Sequence, residues 1–157
     1  MTIQTCFDQE LKKLGSGASA NVDVAEGGRR LTCAILERNS LAVAFETLRL
    51  ETPELSGVTK ADLERIGQAL SNRLTYLMEP IRPIEIDADH CVAQLRSSPP
   101  QRDDDGRSYY ELVVRRGGEF CLARYRKEPG NPRTQIAANV TREVLLRLVG
   151  DFEAVLG

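Results

Sequence analysis

"SYYELVVRRGGEFCLARYRK" (Ser108–Lys127) reads as two strands folded about Gly117-Gly118. Adjacent glycines suit a two-residue turn because they take positive φ at no steric cost. With Arg116 opposite Glu119, one face carries Tyr110, Leu112, Val114, Cys121, Ala123 and Tyr125, an apolar set suited to a core. The other carries Tyr109, Glu111, Val113, Arg115, Phe120, Leu122, Arg124 and Arg126, with Glu111 and Arg124 as an opposite-charge cross-strand pair. Arginines interleaved with aromatic rings suit a protein interface or an anionic ligand. The same composition also occurs on ordinary outward faces, where charged heads ride on apolar stems. Tyr109, Arg115, Phe120, Arg124 and Arg126 are the candidate binding residues.

Two further hairpins precede this one. Residues 29–51 fold about Arg38-Asn39, which sets Leu36 opposite Leu41 and Ala34 opposite Val43. One face then holds Thr32, Ala34, Leu36, Leu41, Val43 and Phe45; the other holds Leu31, Cys33, Ile35, Ala42 and Ala44. A hairpin apolar on both faces has to be covered on both, the second time by the N-terminal helix or a second subunit. Residues 81–96 fold about 87–90 ("DADH"), with Ile84, Ile86, Cys91, Ala93 and Leu95 on one face. His90, the chain's single histidine, then stands at a turn tip beside Asp87, while Cys91 points the other way. That arrangement favours a turn over a metal or Cys–His site.

The helices are marked by apolar spacing and caps. Residues 5–14 place Phe7, Leu11 and Leu14 in one stripe after Thr5. Residues 59–79 open on Thr59 with Asp62 three positions on, and carry Leu63, Ile66, Leu70, Leu74 and Leu77 up to Pro80. Residues 141–156 carry Val144, Leu145, Leu148, Phe152 and Val155 behind Asn139 or Thr141. Residues 15–28 and 97–107 are small, polar or acidic and read as flexible loops. The expectation is one domain over 1–157, of α+β class: an antiparallel sheet of about five or six strands, two main helices (59–79, 141–156) and a short N-terminal helix. In element order alone the chain resembles the profilin-like, roadblock-type layout and the small dimeric chaperones of type III secretion.

Composition narrows the function classes. The chain has 157 residues, 41% hydrophobic and 28% charged, with net charge −2. Nothing in that balance draws it to nucleic acid or to a membrane, although 107–133 holds seven basic residues against three acidic ones. Cys6, Cys33, Cys91 and Cys121 form no CxxC pair, which disfavours zinc and points to free thiols in a reducing cytoplasm. The opening residues lack a basic start and an apolar run, so no signal peptide is expected, and no apolar run approaches the length that spans a bilayer. "DDDG" lacks calcium-loop spacing, "GSGASA" and "RRGGE" match no phosphate loop, and no GxSxG stands in the chain. No catalytic residue, metal ligand or cofactor is expected. The expected function is a non-enzymatic interaction module, adaptor or chaperone-like and homodimeric, whose partner is another chain, in the first place itself. The alternative is a domain binding an anionic small molecule or nucleic acid through the arginine–aromatic face.

Overall fold

The computed structural model describes residues 1–17 and 19–157. In chain order the elements are α1 (Ile3–Leu14), β1 (Ala20–Glu26), β2 (Arg29–Arg38), β3 (Ala42–Glu51), a 3-10 turn (Pro53–Leu55), α2 (Lys60–Arg73), β4 (Ile81–Asp87), β5 (Val92–Ser97), β6 (Gln101–Arg102), β7 (Arg107–Arg115), β8 (Glu119–Lys127), β9 (Thr134–Ile136), β10 (Ala138–Thr141) and α3 (Arg142–Val155). The α+β class is as expected, but the sheet has ten strands rather than five or six. Its main path runs β1-β2-β3-β8-β7-β5-β4, with every pair antiparallel. β3 and β8 pair only over Leu48–Glu51 and Glu119–Leu122. Beyond that they part, and β9 and β10 pair with the freed stretches of β8 and β3.

Two strands, β1 within 15–28 and β6 within 97–107, correct the loop readings. β1 alternates Val22 and Val24, both buried, with Asn21 and Asp23 in water. Gly27 and Gly28, at φ +60 and +81, close it onto β2 in the turn that needs two left-handed residues. Small neighbours hid this short period-two signal. Within 97–107, β6 pairs with the start of β7 across a tight turn, in which Asp103 Oδ1 accepts from the amides of Asp105 and Gly106 (both 2.9 Å).

Large apolar residues gather on one face. Val22, Leu31, Cys33, Phe45, Leu48, Leu50, Ala93, Leu95, Leu112, Val114, Phe120 and Leu122 are buried there against the helices. α1 packs on β1 and β2, α3 on β3 and β10, and α2 on β4 and β5. The expected pairing of 29–51 is corrected by its turn and a bulge. Asn39 Oδ1 accepts from the amides of Leu41 and Ala42, and Arg38 pairs with Val43, Glu37 with Ala44 and Ile35 with Phe45. Val43 and Phe45 thus join Leu31, Cys33 and Ile35 on the helix side, all at most 2% exposed. Leu36 and Leu41 do not face each other and stand in water, at 41% and 77% exposure. The reason for a second subunit over this hairpin is therefore removed: one face takes the large residues, and this chain covers it.

The helices follow their caps. α1 starts earlier than expected, because Thr2 rather than Thr5 accepts from an amide, that of Thr5 (3.1 Å). The Glu153 carboxylate of α3 also accepts from the Ile3 and Gln4 amides, a negative charge where a helix N-terminus favours one. Thr59 and Asp62 form a reciprocal capping box on α2. That helix ends at Arg73, six residues before the expected Glu79. Leaving the helix lets Tyr76 donate to Asp151 (2.6 Å) and buries Glu79 beneath the sheet, two contacts a continuing helix would not reach together. α3 is capped by Thr141, not Asn139, which belongs to β10. Its Phe152 meets Phe120 edge-on, ring centroids 5.5 Å apart.

Phe152→Ala should lower the stability of the fold by about 3–5 kcal/mol, the usual cost of emptying a buried aromatic site. Leu41→Ala should stay within about 0.5 kcal/mol. Urea titrations of the two variants check this, and similar midpoints would refute the assignment of the core. Glu54 gives an acid-limb prediction. Hydrogen bonds from Arg29 (2.7 and 2.9 Å), helped by one from Thr52 (2.7 Å), hold its carboxyl down at about 2, below the ordinary 4.5. A lowered folded value means this contribution is whole above pH 4.5 and fades as pH falls toward 2. Glu54→Gln should therefore flatten the loss of stability in that window, as followed by melting temperature.

Candidate functional site

The turn between β7 and β8 decides where the expected binding residues lie. It holds three residues, Arg116–Gly118, rather than two, so Arg115 faces Glu119 and Val114 faces Phe120. Gly118, at φ +116, closes it with its amide on Arg115 O (3.0 Å). A shift of one residue exchanges the faces of a strand. Phe120, Arg124 and Arg126 therefore lie on the helix side, while Tyr109 and Arg115 lie on the opposite, helix-free side. The five do not form one site. Phe120 is core. Arg124, 6% exposed, stacks on the Tyr110 ring at 4.6 Å and donates to buried Glu79 (3.4 Å). Arg126 takes both oxygens of Asp103 (2.9 Å each) and reaches Glu128 (3.2 Å), holding the Asp103 carboxyl well below its usual range. Arg115 sits at the far end of the hairpin against Glu119 (3.3 Å).

Tyr109 is the residue that leads to a site. On the helix-free face it belongs to a fixed polar layer centred on Glu111, which is only 3% exposed. Glu111 accepts from Gln94 and Arg133, and Arg96 lies 3.7 Å away. Arg96 stacks on Tyr109 at 4.4 Å and Arg133 on Tyr125 at 3.9 Å. Rings and guanidiniums hold one another in place, so this part of the sheet needs no helix over it.

Beside Tyr109 opens a cleft of about 460 Å³, walled by Arg82, Arg96, Arg102 and Arg107, with Ile84 and the prolines 83 and 100. Among the described residues, no carboxylate lines it. The register makes this unusual. Arg82 stands directly opposite Arg96, and Arg102 directly opposite Arg107. Like charges directly opposite on a sheet are unfavourable. Elsewhere such a pair is neutralised: Glu51 faces Glu119, but Arg49 and Arg115 each lie 3.3 Å from Glu119. Among the described residues, only Arg96 of the cleft's four arginines has a carboxylate within 4 Å. Arg96 Nε is buried and has no acceptor. Asp103, the acid nearest in sequence to Arg102, is already bound to Arg126.

The remaining sequence candidates resolve as structure. Asp87 Oδ1 accepts from the Asp89 and His90 amides, and Oδ2 pairs with His90 Nδ1 (2.7 Å), closing the turn; Asp87 is held below the usual carboxylate range by His90. The pairing is Ile86 with Ala93 and Asp87 with Val92, and a bulge after Pro83 leaves Ile84, expected on the face of Ile86 and Ala93, 53% exposed beside the cleft. Among the described residues, no three His, Cys, Asp or Glu side chains converge as a metal site would require. Ser97, in the cleft wall, is occupied: it donates to Glu79 and accepts from the Tyr110 amide, both at 2.7 Å. Comparison with family models, curated proteins and solved structures found no match for the chain.

The cleft's charge arrangement has a cost that a variant can remove. Arg82→Gln keeps the stem and deletes one of the two facing charges, so it should stabilise the protein by about 0.3 kcal/mol at low salt. The gain should vanish in 0.5 M salt, where a charge effect between exposed groups is screened. A loss of stability at both salts would show that Arg82 has a structural partner.

Proposed function

We propose that this chain is a non-enzymatic binding module that takes an anionic ligand in the arginine cleft. The observation that carries the reading is the pair of facing arginines, Arg82–Arg96 and Arg102–Arg107, converging on one cleft without an acid in its wall. A surface selected for stability alone would place a carboxylate among them. An anion supplies that missing charge, and guanidiniums suit oxyanions because their paired N–H groups match two oxygens at once. Strands rather than loops carry Arg82, Arg96 and Arg107, which lowers the ordering cost of binding. The reading keeps the anionic alternative made from sequence and moves it from Arg115, Arg124 and Arg126 to this cleft. It requires no second chain. The four cysteines are unpaired, which supports a reducing compartment such as the cytoplasm, and no helix among the described residues is long and apolar enough to cross a membrane.

Calorimetric titration with pyrophosphate at low salt tests the site. The wild type should bind with millimolar affinity or better, and Arg102→Glu should lose at least tenfold. Arg115→Glu, at the other end of the sheet, should bind as the wild type does. No heat from the wild type, or equal affinity in Arg102→Glu with its fold intact by circular dichroism, would remove the proposal.

A further inference from the structure

Resting on the anion-binding reading, we infer that the ligand is a compact organic molecule bearing a doubly charged oxyanion, a phosphomonoester, and not a nucleic-acid strand. Charge sets the first limit. Among the described residues, Arg82, Arg102 and Arg107 have no carboxylate within 4 Å, so a single negative charge leaves most of the excess in place. A phosphomonoester carries close to two charges at neutral pH.

Surroundings set the second limit. The positive patch is bounded on both sides along the sheet. Glu85 and Asp87 follow Arg82 on β4 and line the neighbouring cleft. Asp103, Asp104 and Asp105 occupy the turn beyond Arg102 and Arg107. A nucleic-acid backbone needs a continuous basic track, and here its next phosphates would meet carboxylates. Nor is an aromatic face free for a base, because Arg96 already covers the Tyr109 ring at 4.4 Å.

The apolar wall sets the third. Pro83, Ile84 and Pro100 line the cleft together with the arginines, and Ile84 is 53% exposed. About 460 Å³ exceeds what inorganic phosphate fills and falls within the range of small-molecule sites, about 300–1,000 Å³. An organic body against this wall removes apolar surface from water.

Three small probes of graded chemistry and one strand decide the matter by calorimetry at pH 8. Phenyl phosphate should bind at least tenfold more tightly than phenyl sulfate, which has the same shape and one charge fewer. It should bind at least threefold more tightly than inorganic phosphate, which has the charge without the ring. A ten-nucleotide thymidine strand should not displace it, and both Arg107→Gln and Arg82→Gln should weaken it at least fivefold. Equal affinity for the two phenyl esters, equal affinity for inorganic phosphate, displacement by the strand, or indifference to both arginine variants would each overturn the inference. If pyrophosphate binds in an Arg102-dependent manner while phenyl phosphate gains nothing, the ligand class is wrong and the site stands. If neither binds, the site itself is wrong.

Discussion

Side-chain parity across β7 and β8 is the constraint on which the rest of the molecule depends. These strands are the middle of the sheet, and both their neighbours, β3 and β5, take register from them. The three-residue turn puts Leu112, Val114, Phe120 and Leu122 under the helices. A slip by one residue would keep Leu112 and Val114 there but replace Phe120 and Leu122 with Cys121 and Ala123. Each large side chain buried is worth about 1.5–3 kcal/mol, so the slipped pairing cannot compete. The turn is also pinned from outside: the Thr52 amide donates to Gly118 O (2.7 Å) and the Arg116 amide to Cys91 O (3.0 Å).

Once parity is set, the polar residues have to be accommodated where they fall, and the two faces solve this differently. On the helix side Arg124 is driven inward. Breaking a buried ion pair is far more costly than lacking one, and Arg124 is held by Glu79, by the Tyr110 ring and, through Glu79, by Ser97. This is why α2 stops at Arg73: the chain has to leave the helix to bring Glu79 beneath the sheet. On the helix-free side the buried charge is Glu111, and stacked Arg96 and Arg133 close over it. That layer explains how a sheet with helices on one face alone keeps Tyr109 at 3% exposure.

The helices, the cap of α2 and the three long hairpins were legible in the sequence because each is a local signal: Thr59 with Asp62, the stripe through Phe152, the Gly117-Gly118 pair between apolar runs. Register was not. Arg116–Glu119 and Arg115–Glu119 are equally good charge pairs, and a glycine pair permits a two- or a three-residue turn. Side-chain volume was the cue that separates them, since Phe120 and Leu122 have more to gain from burial than Cys121 and Ala123. In 29–51 the bulge beside Leu36 was invisible for a different reason, since it arises from fitting β2 to β3 while β3 also pairs with β8 and β10. The cleft lay further out of reach. Its arginines come from four strands, and their opposition exists only after two hairpins have found their register.

The position of the cleft explains how the fold tolerates it. Facing arginines inside the sheet would cost several kcal/mol each, because an unpaired charge there loses its hydration. At the corner formed by edge strand β4 and the two-residue β6, Arg82, Arg102 and Arg107 are all exposed and water screens them. The repulsion that remains is small, yet it is uncompensated. An anion bound in the cleft would convert that repulsion into attraction. Its affinity would depend on the sheet holding the guanidiniums together, and Arg96, stacked on Tyr109 and anchored to Glu111, ties one of them to the same central strand that fixes the core.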